Sequence, residues 1–149
     1  MNKSNETKVL ILGGSGFIGR YLTNALSKSG YHVRIPTRNR EHGKSHLIIL
    51  PNVEVIQTNI STTQNIDRLF QGIDIVINCV GILHENQKND FQKFHKTLVD
   101  RIVNSCNTQQ VTHFIHLSAL KASTKGPSAY LRSKAEGENI IRKKLNSKS

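Results

Sequence analysis

Cysteine is scarce, acid is scarce, and long apolar runs are missing altogether from this 149-residue chain. Its two cysteines, Cys79 and Cys106, lie far apart without metal-ligand spacing. That excludes a disulfide framework or a cysteine-built metal centre and leaves two buried thiols as the expectation. No stretch approaches the ~20 apolar residues that span a bilayer. The amino-terminal MNKSNETK also lacks the apolar segment of a secretory signal. A cytoplasmic protein without a transmembrane segment follows. Acids number 10 against 21 lysines and arginines, for a formal charge of +11. The positive residues are dispersed, aromatics make up only 5%, and no nucleic-acid-binding signature is present. Nucleic acid is therefore not the expected partner, and an anionic phosphate ligand accounts more simply for part of the excess. The one unrelieved basic cluster, Arg142, Lys143, Lys144 and Lys148, reads as a solvated helix end.

What is present is an alternation of two periods. Val9 to Leu12 is a short apolar run, followed by the glycine-rich GGSGFIG and by an apolar helical pattern (Phe17, Ile18, Leu22, Ala25, Leu26) ending at Gly30. Residues 31–36 read as a second strand, 39–51 as an irregular connection, 53–57 as a third strand and 62–70 as a short helix. Residues 73–80 form a nearly continuous apolar run, as a strand covered on both faces would. A long helix over 90–106, a fifth strand over 113–118 and a final helix over 129–145 complete the chain. Strands alternating with helices through short connections predict right-handed crossovers and a parallel sheet. The fold class is α/β, a single domain over 1–149. It is a doubly wound sheet of order 3-2-1-4-5 with its switch point between strands one and four.

Gly13-Gly14-Ser15-Gly16-Phe17-Ile18-Gly19 fits GxGxxG from Gly14 and GxxGxxG from Gly13. Both templates answer one demand: the chain turns sharply off the first strand, exposes backbone N–H groups to a pyrophosphate, and packs its helix tightly on the sheet. Standing between a strand and a helix, the motif predicts a dinucleotide site formed by residues 13–19. About twenty residues on, an enzyme preferring NAD carries an acid that grips the ribose diol. Here the second strand runs into Thr37-Arg38-Asn39-Arg40, with no acid and two arginines. A guanidinium binds a 2′-phosphate through paired hydrogen bonds. NADPH is the expected cofactor, with Arg38 the first contact and Arg40 the second; NAD is the alternative.

Ser118 closes the fifth strand, and Tyr130 and Lys134 follow four residues apart, on one helical face. A nearby ammonium favours a phenolate, and a serine hydroxyl can orient a substrate oxygen, which suits proton transfer to a carbonyl or carbinol. Ser118, Tyr130 and Lys134 are therefore the candidate catalytic residues. Taken with the glycine motif, Asn78-Cys79-Val80-Gly81, His116-Leu117-Ser118-Ala119 and Tyr130-Leu131-Arg132-Ser133-Lys134-Ala135-Glu136-Gly137-Glu138, the chain resembles the short-chain dehydrogenase/reductase superfamily. The likeness is to its extended, epimerase/dehydratase-like branch and to the nucleotide-binding accessory subunits of respiratory complex I with their bacterial relatives. VGILHEN after strand four and Phe94-His95 in the next helix are its distinctive parts.

The resemblance implies a Rossmann fold in which Asn59 and Ile60 sit beside the adenine and Val80 and Gly81 lie against the cofactor. Lys134 and Tyr130 would also meet the nicotinamide ribose. His95 falls where many members carry Asn, and Leu12 where many carry Thr. The resemblance further implies a structurally held nucleotide and a respiratory membrane complex as partner, with a peripheral location there. Two other readings stand beside it: an NAD(P)-dependent epimerase or reductase using Ser118, Tyr130 and Lys134, and a vestigial fragment of a split gene. Relatives in this branch continue into a sixth strand and a carboxyl-terminal substrate region. The chain thus reads as an amino-terminal part, truncated before strand six, with weak turnover and an exposed fifth-strand edge carrying Phe114, Ile115 and Leu117.

Overall fold

Val9, Leu10, Ile11 and Leu12 are each at most 1% exposed, because they form the strand that is covered on both faces and paired on both sides. The computed structural model describes residues 7–39 and 49–145. In it this strand, β1 (Lys8–Leu12), is the centre of a five-stranded sheet with β2 (His32–Thr37), β3 (Val53–Gln57), β4 (Ile75–Asn78) and β5 (His113–His116). The order is β3-β2-β1-β4-β5, every pair parallel. This is the predicted doubly wound sheet, and the carboxyl ends of β1 and β4 lie side by side where the winding reverses.

Alternation along β1 divides the core. Leu10 and Leu12 join Val76, Leu69, Phe70, Leu98 and Ile102 on one face. That face lies beneath α2 (Asp67–Phe70) and α3 (Leu98–Thr108). Val9 and Ile11 join Val33, Ile35 and Ile77 on the other, with Leu22 and Leu26 of α1 (Phe17–Lys28) packed against them. The last helix, α4 (Ala129–Leu145), lies against α3 and against a π-helical stretch, Gln92–Thr97, that leads into it.

Several boundaries shift from those expected. The helix expected over 62–70 is regular only from Asp67, whose N–H donates to the side-chain oxygen of Asn65 at 2.9 Å. The helix expected over 90–106 opens in π geometry. Regular pairing of β5 ends at His116, although Leu117 still donates its N–H to Asn78 O at 3.0 Å. On α1 the fully buried residues are the small ones, Gly19, Thr23 and Ser27, with Leu22 and Leu26 half-buried against the sheet beside them. Phe17 and Ile18 stay 73% and 45% exposed. At the sheet edge Phe114 tucks against the core while Ile115 and Leu117 remain exposed. Cys106 is buried as expected, but Cys79, at the open end of β4, is only half-buried.

Candidate functional site

The turn after β1 is built by backbone sterics. Gly13 has φ +78°, the left-handed region, and a Cβ there would lie 3.0 Å from the carbonyl carbon of Cys79. A Cβ on Gly19 would lie 2.2 Å from Gly13 O, an overlap nothing could relieve. Gly16 N donates to Gly13 O at 3.0 Å, closing the turn. Gly16 is also the N-cap of α1 and supplies no side-chain cap, so the first N–H groups of the helix face outward unsatisfied. Uncapped amides with the positive end of the helix dipole behind them form an anion site. The residues present fit a dinucleotide pyrophosphate.

Gly13, Ser15, Gly16, Arg38, Asn59, Ile60, Val80 and Gly81 all line one cleft of about 530 Å³ across the carboxyl ends of β1, β2, β3 and β4. Gly14 and Gly19 are buried behind it, Gly14 against Ile35. Phe17 and Ile18, although inside the motif, are not among the cleft-lining residues. Arg38 is exposed at the mouth beyond the end of β2. Arg40 lies outside the described residues. The side-chain oxygen of Asn59 accepts from Ser61 N at 3.1 Å and Ser61 Oγ at 2.8 Å, so its loop is fixed without a ligand.

Ser118, Tyr130 and Lys134 are gathered where β5 ends and α4 begins, beside the cleft rather than lining it. Lys134 is 3% exposed. It donates through Nζ to Leu117 O at 2.8 Å. Burial pulls its pKa down, while the charge of Glu138 opposes the fall. The Ser118 hydroxyl donates to the Glu138 carboxylate. The Tyr130 ring meets His95 edge to face, centroids 5.6 Å apart, with Phe91 at 6.1 Å. A Cβ on Gly81 would stand 3.8 Å from Lys134 Nζ and 3.9 Å from His95 Nε2. Gly81 is therefore the point where the cleft touches this cluster.

His95 joins the two halves. Its Nε2 accepts the Ile82 N–H at 3.2 Å, so Nδ1 carries the proton and donates to Ser133 Oγ at 2.8 Å. Ser133 in turn donates to Tyr130 O at 2.8 Å. Burial, and then the charge of Lys134, lower the His95 pKa to about 4, which keeps the ring neutral. The π-helical stretch sets His95 in place, and Gly137 of α4 lets that backbone come close: a Cβ at 137 would lie 2.5 Å from His95 O. Asn78, fully buried in β4, holds Val80 N through Oδ1 at 3.1 Å and His116 Nδ1 through Nδ2 at 3.1 Å. None of these supporting roles was read from residue spacing, although Glu138 continues the four-residue step of Tyr130 and Lys134. Among the described residues no group of side chains is arranged to hold a metal.

A parallel sheet with a glycine turn opening onto an uncapped helix N-terminus at its switch point defines a dinucleotide-binding α/β protein. A family model described as NAD(P)H-binding matches residues 13–148. The chain belongs to that family, and it is a nicotinamide-dinucleotide-binding domain. It is 30% identical over 135 residues to the mitochondrial 40 kDa subunit of NADH-ubiquinone oxidoreductase from Neurospora crassa, covering 89% of this chain and 36% of the relative. It is 33% identical to the mitochondrial NADH dehydrogenase 1 alpha subcomplex subunit 9 of Mus musculus, with coverage of 89% and 36%. A ceramide reductase of Caulobacter vibrioides is 28% identical, with coverage of 90% and 41%. The chain thus spans little more than a third of these curated relatives. Among solved structures, UDP-glucuronic acid 4-epimerase from Bacillus cereus in complex with NAD superposes with a TM-score of 0.77. It is 24% identical, over 94% of this chain and 53% of that one. Pen from Bacillus thuringiensis gives a TM-score of 0.85 at 19% identity, over 97% and 47%. These two likenesses establish the Rossmann-type fold.

Proposed function

We propose that this domain binds NADPH in preference to NADH and holds it as a structural element of a respiratory membrane assembly. The observation that carries the reading is the single cleft joining the glycine turn to Arg38, with no acid where β2 ends. Residues 13–19 receive the pyrophosphate, Arg38 pairs with the 2′-phosphate, and Asn59 and Ile60 flank the adenine. Val80 and Gly81 back the nicotinamide side, next to Tyr130 and Lys134. The respiratory partner is supported by likeness to the 40 kDa and alpha subcomplex 9 subunits. No helix among the described residues is long and apolar enough to cross a membrane, so a peripheral position is the one proposed. Titrating the folded chain with NADPH and NADH tests the cofactor; saturable binding favouring NADPH supports it.

A second reading rests on the Ser118–Tyr130–Lys134 cluster. The bound nucleotide would supply or take a hydride. Tyr130 would give or take the proton at its phenol oxygen. Ser118 would position the substrate oxygen. Tyr130→Phe separates the readings: assembly with a partner survives it, whereas reduction of a carbonyl compound does not.

A further inference from the structure

Lys134 is a buried cation, and a buried cation requires a counter-charge. Four titratable side chains besides its own helix neighbour Tyr130 bear on it. These are Cys79 from the end of β4, His95 from the π-helical stretch, His116 from β5 and Glu138 one turn further along α4. Both imidazoles are held neutral: each has its pKa lowered to about 4, chiefly by burial. The Cys79 thiol is pushed up by burial, so it too is uncharged near neutral pH. Glu138 alone among them carries negative charge. Its two oxygens have separate partners, Oε1 receiving the Ser118 hydroxyl and Oε2 pairing with Arg142 at 3.2 Å.

We propose that Glu138 is a positioning residue of the Ser–Tyr–Lys cluster, fixing the direction of the Ser118 hydroxyl and the charge of the Lys134 ammonium. The inference rests on that cluster being the chemical end of the nucleotide site. A carboxylate is the stronger acceptor, so the Ser118 O–H stays directed at Glu138. Towards the cleft Ser118 then presents lone pairs. It accepts from a ligand hydroxyl, and it donates to a carbonyl oxygen only after releasing Glu138. The same carboxylate offsets the cost of keeping Lys134 charged in a pocket where its ammonium donates to the neutral carbonyl of Leu117.

The test is a ¹³C NMR titration of the lysine ε-carbons in the full chain, with the Lys134 signal assigned by its loss in Lys134→Arg. Glu138→Gln keeps the size and an acceptor oxygen but removes the charge. It should lower the Lys134 midpoint by about one pH unit or more. Arg142→Gln, which disturbs only the outer partner, should not lower it. Should Glu138→Gln fail to fold, Glu138→Asp, one methylene short, should give a smaller fall. A Lys134 midpoint unchanged from wild type in a folded Glu138 variant overturns the proposal, even if the melting temperature drops, since a purely structural role would produce that drop alone. Nucleotide is not needed for this measurement. Failure to bind NADPH would sink the proposed function and leave the Lys134 result readable.

Discussion

The two ends of the site are made of different materials. At the turn after β1 the ligand-facing groups are backbone amides, and geometry is enforced by absence: any side chain at Gly13 or Gly19 collides with backbone. Beside β5 and α4 the working groups are side chains, held by one another through Ser133, His95, Glu138 and Asn78. A site of the first kind fails by steric exclusion and is indifferent to pH. The second kind fails by loss of a partner or a charge, and it degrades gradually. Binding and chemistry can therefore be lost separately in this fold.

Gly19→Ala is the severest way to break that contrast. The added methyl would meet Gly13 O at 2.2 Å, and forcing the turn open should cost about 3 kcal/mol. The melting temperature should fall sharply, and nucleotide binding should vanish in whatever remains folded. Arg38→Ala comes next. Removing an exposed guanidinium leaves the fold intact, and NADPH affinity should drop about tenfold or more. NADH affinity should stay where it was, which isothermal titration would show.

The side-chain end should betray itself through pH. His95 and His116 are held neutral, with pKa values lowered from 6.5 to about 4. Between those values the unfolded chain binds more protons than the native one, so stability rises with pH. The contribution is fully present above about 6.5 and is lost as pH falls towards 4. Denaturant midpoints across that window should decline, and His95→Gln should flatten the slope. Tyr130→Phe should have the smallest effect of all on binding, changing NADPH affinity by less than about twofold, because the phenol oxygen is not among the groups lining the cleft. A large loss there would mean that the two ends are not separable.

Most of the scaffold was legible in the residues. Apolar runs of four or five, a glycine motif between strand and helix, and short connections leave few alternatives to the 3-2-1-4-5 order. Backbone-built features are legible because they require glycine, and glycine is visible. The side-chain network was not, because its members are polar residues of ordinary appearance. Asn78 ends an apolar run, Ser133 sits inside a helix, and His95 owes its position to a π-helical stretch with no compositional mark. Phe17 and Ile18 were misleading in the opposite sense. They open the apolar pattern of α1 yet stay exposed, while Leu22 and Leu26 pack on the sheet beside the buried Gly19, Thr23 and Ser27. Ile115 and Leu117 are legible as exposed edge residues only once the strand order is known.

The amides between Gly13 and Gly19 should receive a pyrophosphate while Arg38 selects among nucleotides. A parallel calorimetric titration of wild type and Arg38→Ala with NADPH and NADH reads both at once. The wild type should bind both nucleotides saturably, NADPH more tightly, with the preference abolished by the substitution. Folded wild-type protein that binds neither nucleotide would contradict it.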